Sequence, residues 1–154
     1  MKITKSTIEK LALTEIKGLD PISVFLENFG PGQGKLTVEC FGDAWSHYWG
    51  AMGDGDLTSF LASANVEYIT GKLFPCEMDR SVIDYDKIAA TIGEDSLDEG
   101  TLMLHEDKVI EAYGGDWHHL LPKKQSHHYE YLMRVVVAVK EAIVSLGAGD
   151  EVAA

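Results

Sequence analysis

An alternating apolar pattern in residues 35–41 constrains the fold more than any other stretch of the chain. Leu36, Val38 and Cys40 fall on one side of a period-two repeat, and more polar residues occupy most of the positions between them. Successive side chains of a β-strand point to opposite faces of the sheet, so this pattern is typical of an antiparallel strand that is covered on one face. The sequence therefore predicts a sheet whose covering layer is supplied by the rest of the chain.

Aromatic residues continue the same alternation immediately afterwards. Trp45, His47 and Trp49 recur at every second position and lead into an acidic, glycine-rich turn at residues 53–56. Two interpretations are open for the tryptophans. They either anchor the core, as aromatic stripes usually do, or they form an exposed surface that recognises a partner.

The preceding residues supply the other strands that we expect. Residues 22–29 alternate in the same way, and the glycine-rich turn at residues 30–34 joins them to residues 35–41 as a hairpin. Near the N-terminus, Ser6 and Glu9 have the spacing of a capping box, which predicts a short helix through Leu11. The expected sheet is small and antiparallel, with about three strands.

Helical periodicity dominates the second half of the chain. Amphipathic helices are predicted at residues 57–72, 84–92 and 102–113, with an acidic linker at residues 93–100. Ser126 should cap a final helix of roughly twenty residues that Gly147 stops, and residues 148–154 should fray. The apolar stripe of this helix is expected to be buried along its length and comprises Leu132, Val135, Val136, Val139, Ile143 and Leu146. The fold class is thus α+β, in one domain over residues 1–154.

Charge is the strongest global property of the sequence. The net charge is −12, and residues 77–116 carry twelve acidic and three basic residues, a local net charge of −9. Such a surface repels phosphates and disfavours direct binding of nucleic acid, but it attracts a protein with a basic surface. A solvated face that maintains solubility is the other interpretation. The candidate partner-binding residues are Asp84, Asp86, Glu94, Asp95, Asp98 and Glu99, together with Trp45 and Trp49.

The histidines are the best candidates for a metal site. The pairs at 118–119 and 127–128 are adjacent residues that point in different directions, and neither HExxH nor His-x-His spacing occurs. We therefore expect no metal and no other cofactor. Cys40 and Cys76 lack a CxxC spacing and are expected to be reduced, buried thiols. Because no Walker, dinucleotide, kinase or hydrolase signature is present, no catalytic residue is assigned and binding is favoured over catalysis.

The distribution of apolar residues along the sequence indicates in which cellular compartment the protein acts. No apolar run approaches the roughly 20 residues that span a bilayer, and polar residues interrupt the N-terminal segment where a signal peptide would be apolar. The sequence predicts a cytoplasmic protein that does not bind membranes.

Several stretches resemble a family of small proteins encoded by bacteriophages and prophages. They are LDPISVFLENF (19–29), GPGQG (30–34), residues 35–41, AW (44–45), YWGAMG (48–53), GDW (115–117), LPKK (121–124) and YEYLMRVV (129–136). The doubled histidines depart from the tail of that family, which argues further against a metal site. The resemblance transfers no catalytic residue, but it implies a phage setting in a host cell. An acidic phage protein of this kind is expected to inhibit a host nucleic-acid-processing enzyme or defence complex, in the manner of an anti-CRISPR protein or a DNA mimic. The alternative is a small phage enzyme or metal-binding protein that uses His118, His119, His127 and His128.

Overall fold

A computed structural model of the chain describes the backbone of residues 1–150 and the side chains of residues 1–147. The strands in chain order are β1 (Glu9–Leu13), β2 (Ile22–Gly30), β3 (Gln33–Cys40), β4 (Asp43–Trp49), β5 (Ser81–Ile83) and β6 (Lys123–Gln125). The α-helices are α1 (Leu57–Ser63), α2 (Val66–Leu73), α3 (Tyr85–Ile92), α4 (Glu99–Leu102), α5 (Glu106–Tyr113), α6 (Trp117–Leu120) and α7 (His127–Asp150). Short 3-10 helices cover Glu77–Arg80 and Met103–His105. The class is α+β, as predicted.

The chain forms two compact units. The first comprises Met1–Glu77 with His128–Ala154, and the second comprises Met78–His127. The prediction of one domain over residues 1–154 stays a prediction. No helix in the described part of the chain combines the length and the apolar character needed to cross a membrane.

The first unit is built on an antiparallel sheet in the order β1-β2-β3-β4. Its register places Val24 opposite Val38 and Leu26 opposite Leu36, so that the apolar sets of the central strands share one face. All four of these side chains are buried. The period-two pattern of the sequence therefore selects the register, because a slip by one residue would turn this face to solvent.

Helix α7 covers this face together with α1 and α2, and it contributes more buried residues than either of them. Leu132, Val135, Val136, Val139 and Ile143 are buried with the apolar residues of β2 and β3 in one cluster. Each fully buried aliphatic side chain contributes roughly 1.5–3 kcal/mol relative to exposure. The predicted stripe is thus confirmed except at Leu146, which is 44% exposed.

The predicted number of strands was too low. Residues 43–49 do not extend the third strand but return antiparallel to it as β4, with Val38 opposite Trp45. Phe41 and Gly42 make the turn with φ of 50° and 85°, the backbone of a two-residue hairpin loop in which both central residues have positive φ. Both runs alternate with period two, but the phase changes at the turn from even-numbered positions (36, 38 and 40) to odd-numbered ones (45, 47 and 49). The sequence analysis followed the alternation without this change of phase and therefore missed the turn.

The N-terminal helix prediction was wrong. Residues 9–13 form the edge strand β1, in which Leu11 lies opposite Val24 and Leu13 opposite Ile22. Ser6 lies outside any regular element. Pairing with β2 covers the apolar side of this segment, and that gain outweighs the local capping signal.

Three helix boundaries also differ from expectation. The predicted helix at residues 57–72 is two helices, because Asn65 caps α2 by accepting a hydrogen bond of 2.6 Å from the Tyr68 backbone N–H. The predicted helix at residues 102–113 is divided into α4, a 3-10 helix and α5, so that α4 begins inside the expected linker. Helix α7 begins at His127, directly after Ser126, and runs through Gly147 to Asp150. Residues 148–150 are thus helical, while residues 151–154 of the segment expected to fray lie outside the described residues.

The second unit has its own small core. Strands β5 and β6 pair antiparallel, and α3, α4, α5 and α6 lie between them in sequence. The buried cluster contains Ile88, Leu102, Val109, Trp117 and Leu121. Helix α3 matches the prediction for residues 84–92, with Asp84 as its N-cap.

Candidate partner-binding surface

The second unit carries all six acidic candidates from the sequence. It contains eleven acidic and five basic residues, a net charge of −6, and the remainder of the chain, with fourteen and eight, also has a net charge of −6. The unit is about half as long as the remainder, so its charge density is about twice as high. It is nevertheless less acidic than residues 77–116 alone, because it includes Lys123 and Lys124 and excludes Glu77.

Two of the candidates face one of these lysines. Pairing of β5 with β6 sets Val82 opposite Lys124. The Lys124 Nζ lies 2.7 Å from Asp86 Oδ2 and 3.7 Å from Asp84 Oδ1. The hydrogen bond from Lys124 lowers the pKa of Asp86, and the same contact raises the pKa of Lys124. Asp84 also caps α3 by accepting from the Lys87 backbone N–H. Lys124 thus offsets part of the negative charge at Asp84 and Asp86.

Glu94 is also paired. Its Oε1 lies 2.5 Å from the Lys108 Nζ and 3.3 Å from the His105 Nδ1. The hydrogen bond from Lys108 is the main cause that lowers the pKa of Glu94. This contact links the end of α3 to α5, so Glu94 has a structural role within the unit.

Asp98 is the N-cap of α4. Its carboxylate accepts from the Thr101 backbone N–H at 2.7 Å, and the Thr101 hydroxyl accepts from the Asp98 backbone N–H at 2.9 Å. The reciprocal pair is a capping box. Hydrogen bonds from the Thr101 side chain and backbone lower the pKa of Asp98. Asp98 is therefore engaged in holding the start of a helix.

Asp95 and Glu99 are exposed, as Asp86 and Asp98 also are. Among the described residues, the side chains of Asp95 and Glu99 form no hydrogen bond or ion pair. Exposed apolar side chains follow closely in the chain, since Met103 is exposed and Leu104 is 79% exposed. Asp107 is exposed at the start of α5. We call the set Asp95, Glu99, Met103, Leu104 and Asp107 the acidic–apolar segment.

The acidic–apolar segment combines two properties that the sequence analysis did not bring together. An exposed leucine is common on a protein surface, but a largely exposed Leu104 next to Met103, in a stretch of sequence rich in carboxylates, is suited to contact with another protein. Sequence reasoning missed these two residues because it placed them within one amphipathic helix. Their exposure coincides with the 3-10 turn Met103–His105, which separates α4 from α5 and which the apolar period of the sequence does not indicate.

Trp49 belongs to the core of the first unit, and Trp45 packs against that core. Trp49 is 6% exposed, and its Nε1 donates to the Tyr68 hydroxyl at 3.1 Å. Trp45 is partly buried, with its ring centroid 6.4 Å from that of Tyr131. Of the two interpretations of these residues, the core role is the one that matches their burial. The exposed aromatic residues of this sheet are instead Phe29, Phe41 and Tyr48.

The histidines do not form a cluster of metal ligands. The described residues contain no group of three or more His, Cys, Asp or Glu side chains that could hold a metal ion. His118 stacks on Trp117 with ring centroids 3.6 Å apart, and His119 follows it in α6. His127 and His128 begin α7. Burial, with a smaller effect from Lys72, lowers the pKa of His47, which packs on Trp49.

Among the residues that the structure describes, no base contacts Cys40 and could activate it as a nucleophile. Its Sγ lies 3.2 Å from the Tyr131 hydroxyl and donates to the Asp20 carbonyl oxygen at 3.6 Å. The contact with Cys40, followed by burial, raises the pKa of Tyr131 to about 12, so this hydroxyl stays protonated at neutral pH. Both cysteines are free thiols, as expected, but only Cys40 is buried and Cys76 is partly exposed.

Comparison with known proteins places the chain in a family. No curated protein and no solved structure matches it. A family model described as a phage family, Phage_phiTE_072, matches residues 1–145. The match covers almost the whole chain and agrees with the resemblance carried by the YWGAMG block and the C-terminal stretches. The protein is therefore a member of the phage family Phage_phiTE_072.

Proposed function

We propose that this protein is an acidic phage protein that binds a basic surface of a host protein and thereby inhibits a nucleic-acid-processing enzyme or a defence complex, as anti-CRISPR proteins and DNA mimics do. The observation that carries the proposal is the acidic–apolar segment, in which Asp95 and Glu99 lack ion-pair partners among the described residues and Leu104 is exposed. Membership of a phage family supports action in the cytoplasm of a host cell.

Charge supports a protein partner over a nucleic acid. A unit with a net charge of −6 repels phosphates, whereas lysines and arginines that line a nucleic-acid channel would attract it. The unpaired carboxylates contribute most to this attraction, because Asp86 and Glu94 already have cationic neighbours within the unit. Asp98 would contribute less than its sequence position suggests, since its oxygens already accept from Thr101.

The exposed apolar side chains of the acidic–apolar segment indicate what kind of surface the partner presents. A pure phosphate mimic needs only charge, but burial of Leu104 and Met103 would add a contact that salt does not screen. We therefore expect a basic groove with an apolar pocket in its floor or rim. Trp49 is not expected to take part, because it is already in the core of the first unit.

Affinity capture from host lysate followed by cross-linking mass spectrometry tests the proposal. The bait is the full chain, and its matched variants are Leu104→Ser and Leu120→Ser, which alter two exposed leucines of the same unit. The account predicts a basic partner that is cross-linked near residues 95–107, captured normally by Leu120→Ser and poorly by Leu104→Ser. A partner that both variants capture equally, with cross-links confined to the first unit, would contradict it.

A further inference from the structure

A groove in the first unit runs along the outer side of α7. It has a volume of about 560 Å³ and is lined by Val66, Val137, Lys140, Glu141, Val144 and Ser145. Val137 and Val144 are 39% and 47% exposed, although valine is usually buried. Val137 and Val144 therefore form an exposed apolar strip, with Lys140, Glu141 and Ser145 beside it, on a helix whose other side already fills the core.

The strip follows the helical period. Val137, Glu141 and Val144 are spaced four and three residues apart, so they lie on one face. The buried stripe of α7 contains Val136, Val139 and Ile143, which lie on a different side of the helix. Two exposed valines on one face of a helix that already buries a different face are suited to a second packing partner.

The order of residues in the strip is self-complementary. When two α7 helices lie antiparallel about a two-fold axis between positions 140 and 141, residues equally far from that midpoint face each other. Val137 then opposes the partner's Val144, and Lys140 opposes the partner's Glu141. Each pairing occurs twice by symmetry, so one axis satisfies both the apolar and the charged positions. We propose that the groove along α7 binds a second copy of this chain in this antiparallel register.

Lys140 is already held at the edge of the groove. Its Nζ donates to the Ala64 carbonyl oxygen at the junction of α1 and α2. An ammonium group has three donors, so this bond leaves two for the partner's Glu141. The contact limits the freedom of a long side chain before association and thus lowers the entropic cost of forming the intermolecular pair.

The expected dimer is weak. The strip from Val137 to Val144 spans two helical turns, about 10 Å at 1.5 Å per residue. Stable interfaces bury about 1,200–2,000 Å² in total, and a contact of this length with one added valine at position 66 falls below that range. Association should therefore depend on protein concentration and weaken as salt rises.

Exchanging the charges at positions 140 and 141 tests the proposed antiparallel register. Association of the full chain is measured by sedimentation equilibrium. Lys140→Glu sets two glutamates against each other at both pairings, and Glu141→Lys sets two lysines against each other. Each variant alone should be monomeric at concentrations at which the unaltered chain dimerises. An equimolar mixture of the two should form a heterodimer, because both pairings across the axis then join a glutamate of one variant to a lysine of the other. The double exchange should dimerise by itself.

Controls separate association from folding. Lys140→Glu also removes the bond to Ala64, so its melting curve is measured, whereas Glu141→Lys leaves that bond intact. If Lys140→Glu does not fold, the double variant Val137→Ser/Val144→Ser is measured in its place. Loss of association in this double variant, in its folded state, supports the proposal. A chain that is monomeric at every concentration overturns the proposal. Dimerisation of Glu141→Lys equal to that of the unaltered chain overturns it as well.

Discussion

The substitution Val139→Asp probes the packing of α7 on the sheet. Val139 is 3% exposed and borders Leu36, Leu61 and Ile143 around a residual cavity of only about 10 Å³. That space is at the lower limit for a single water molecule, so a carboxylate there would be neither hydrated nor hydrogen-bonded. The variant should therefore carry a desolvation cost in addition to the lost contacts of valine.

The magnitude follows from these two losses. Removing a buried valine costs roughly 1.5–3 kcal/mol, and burying a carboxyl group without a partner costs several kcal/mol more, even if its pKa rises until it is neutral. The total of about 5 kcal/mol approaches the whole stability of an ordinary domain, roughly 5–15 kcal/mol. Val139→Asp should thus unfold or barely fold.

Urea denaturation followed by circular dichroism measures the effect. The matched control is Val137→Asp, which places the same residue two positions away on the exposed strip, measured at a dilution at which the chain is monomeric. Its midpoint should shift little. The reasoning is refuted if Val139→Asp keeps the unaltered midpoint, or if both variants are destabilised equally.

Three further predictions concern local features. Asn65→Ala should cost roughly 1 kcal/mol by removing the cap of α2, and Asn65→Asp, which keeps an acceptor for the Tyr68 N–H, should retain most of the stability in a thermal melt. The pKa of Tyr131 is raised to about 12, so the stability that its neutral hydroxyl contributes is complete below about pH 10 and is lost as the pH rises towards 12. Denaturation of Tyr131→Phe across this range should lack this alkaline loss of stability. An identical loss in both proteins would contradict the role of the Tyr131 hydroxyl. Elemental analysis of tag-free protein should find no stoichiometric zinc, iron, nickel or manganese, and a near-equimolar metal that disappears in a His118/His119 double variant would contradict the binding-only account.

The sequence predicted the elements whose signals are local. The strands around residues 22–41 follow a period-two pattern that needs no knowledge of the rest of the chain. Strand β1 was missed because its strand character depends on Leu11 and Leu13 lying opposite β2, while its local capping signal favours a helix. The break between α1 and α2 was visible in principle, since Asn65 is a good N-cap, but the apolar period runs across it.

The acidic residues of the candidate site could be predicted from the sequence, but the contacts that each of them makes could not. The sequence located the acidic residues, but ion pairs join residues far apart in the chain, such as Lys124 with Asp86 and Lys108 with Glu94. Those pairs and the capping role of Asp98 leave Asp95 and Glu99 as the candidates whose side chains form no hydrogen bond or ion pair among the described residues. The exposure of Leu104 depends on the 3-10 turn that precedes α5, which the helical period does not indicate.

The central claim is that the exposed carboxylates of the second unit bind a basic host protein. It is tested most directly by measuring the affinity of the captured partner for Asp95→Asn/Glu99→Gln at two salt concentrations. The control is Glu9→Gln/Glu39→Gln, which removes the same charge from exposed positions of the first unit. The account predicts that the first variant loses affinity and much of its salt dependence, since exposed charges are screened beyond about 10 Å at 0.1 M salt, while the control binds as the unaltered chain does. Equal affinities for both variants, or binding that salt does not change, would contradict the account.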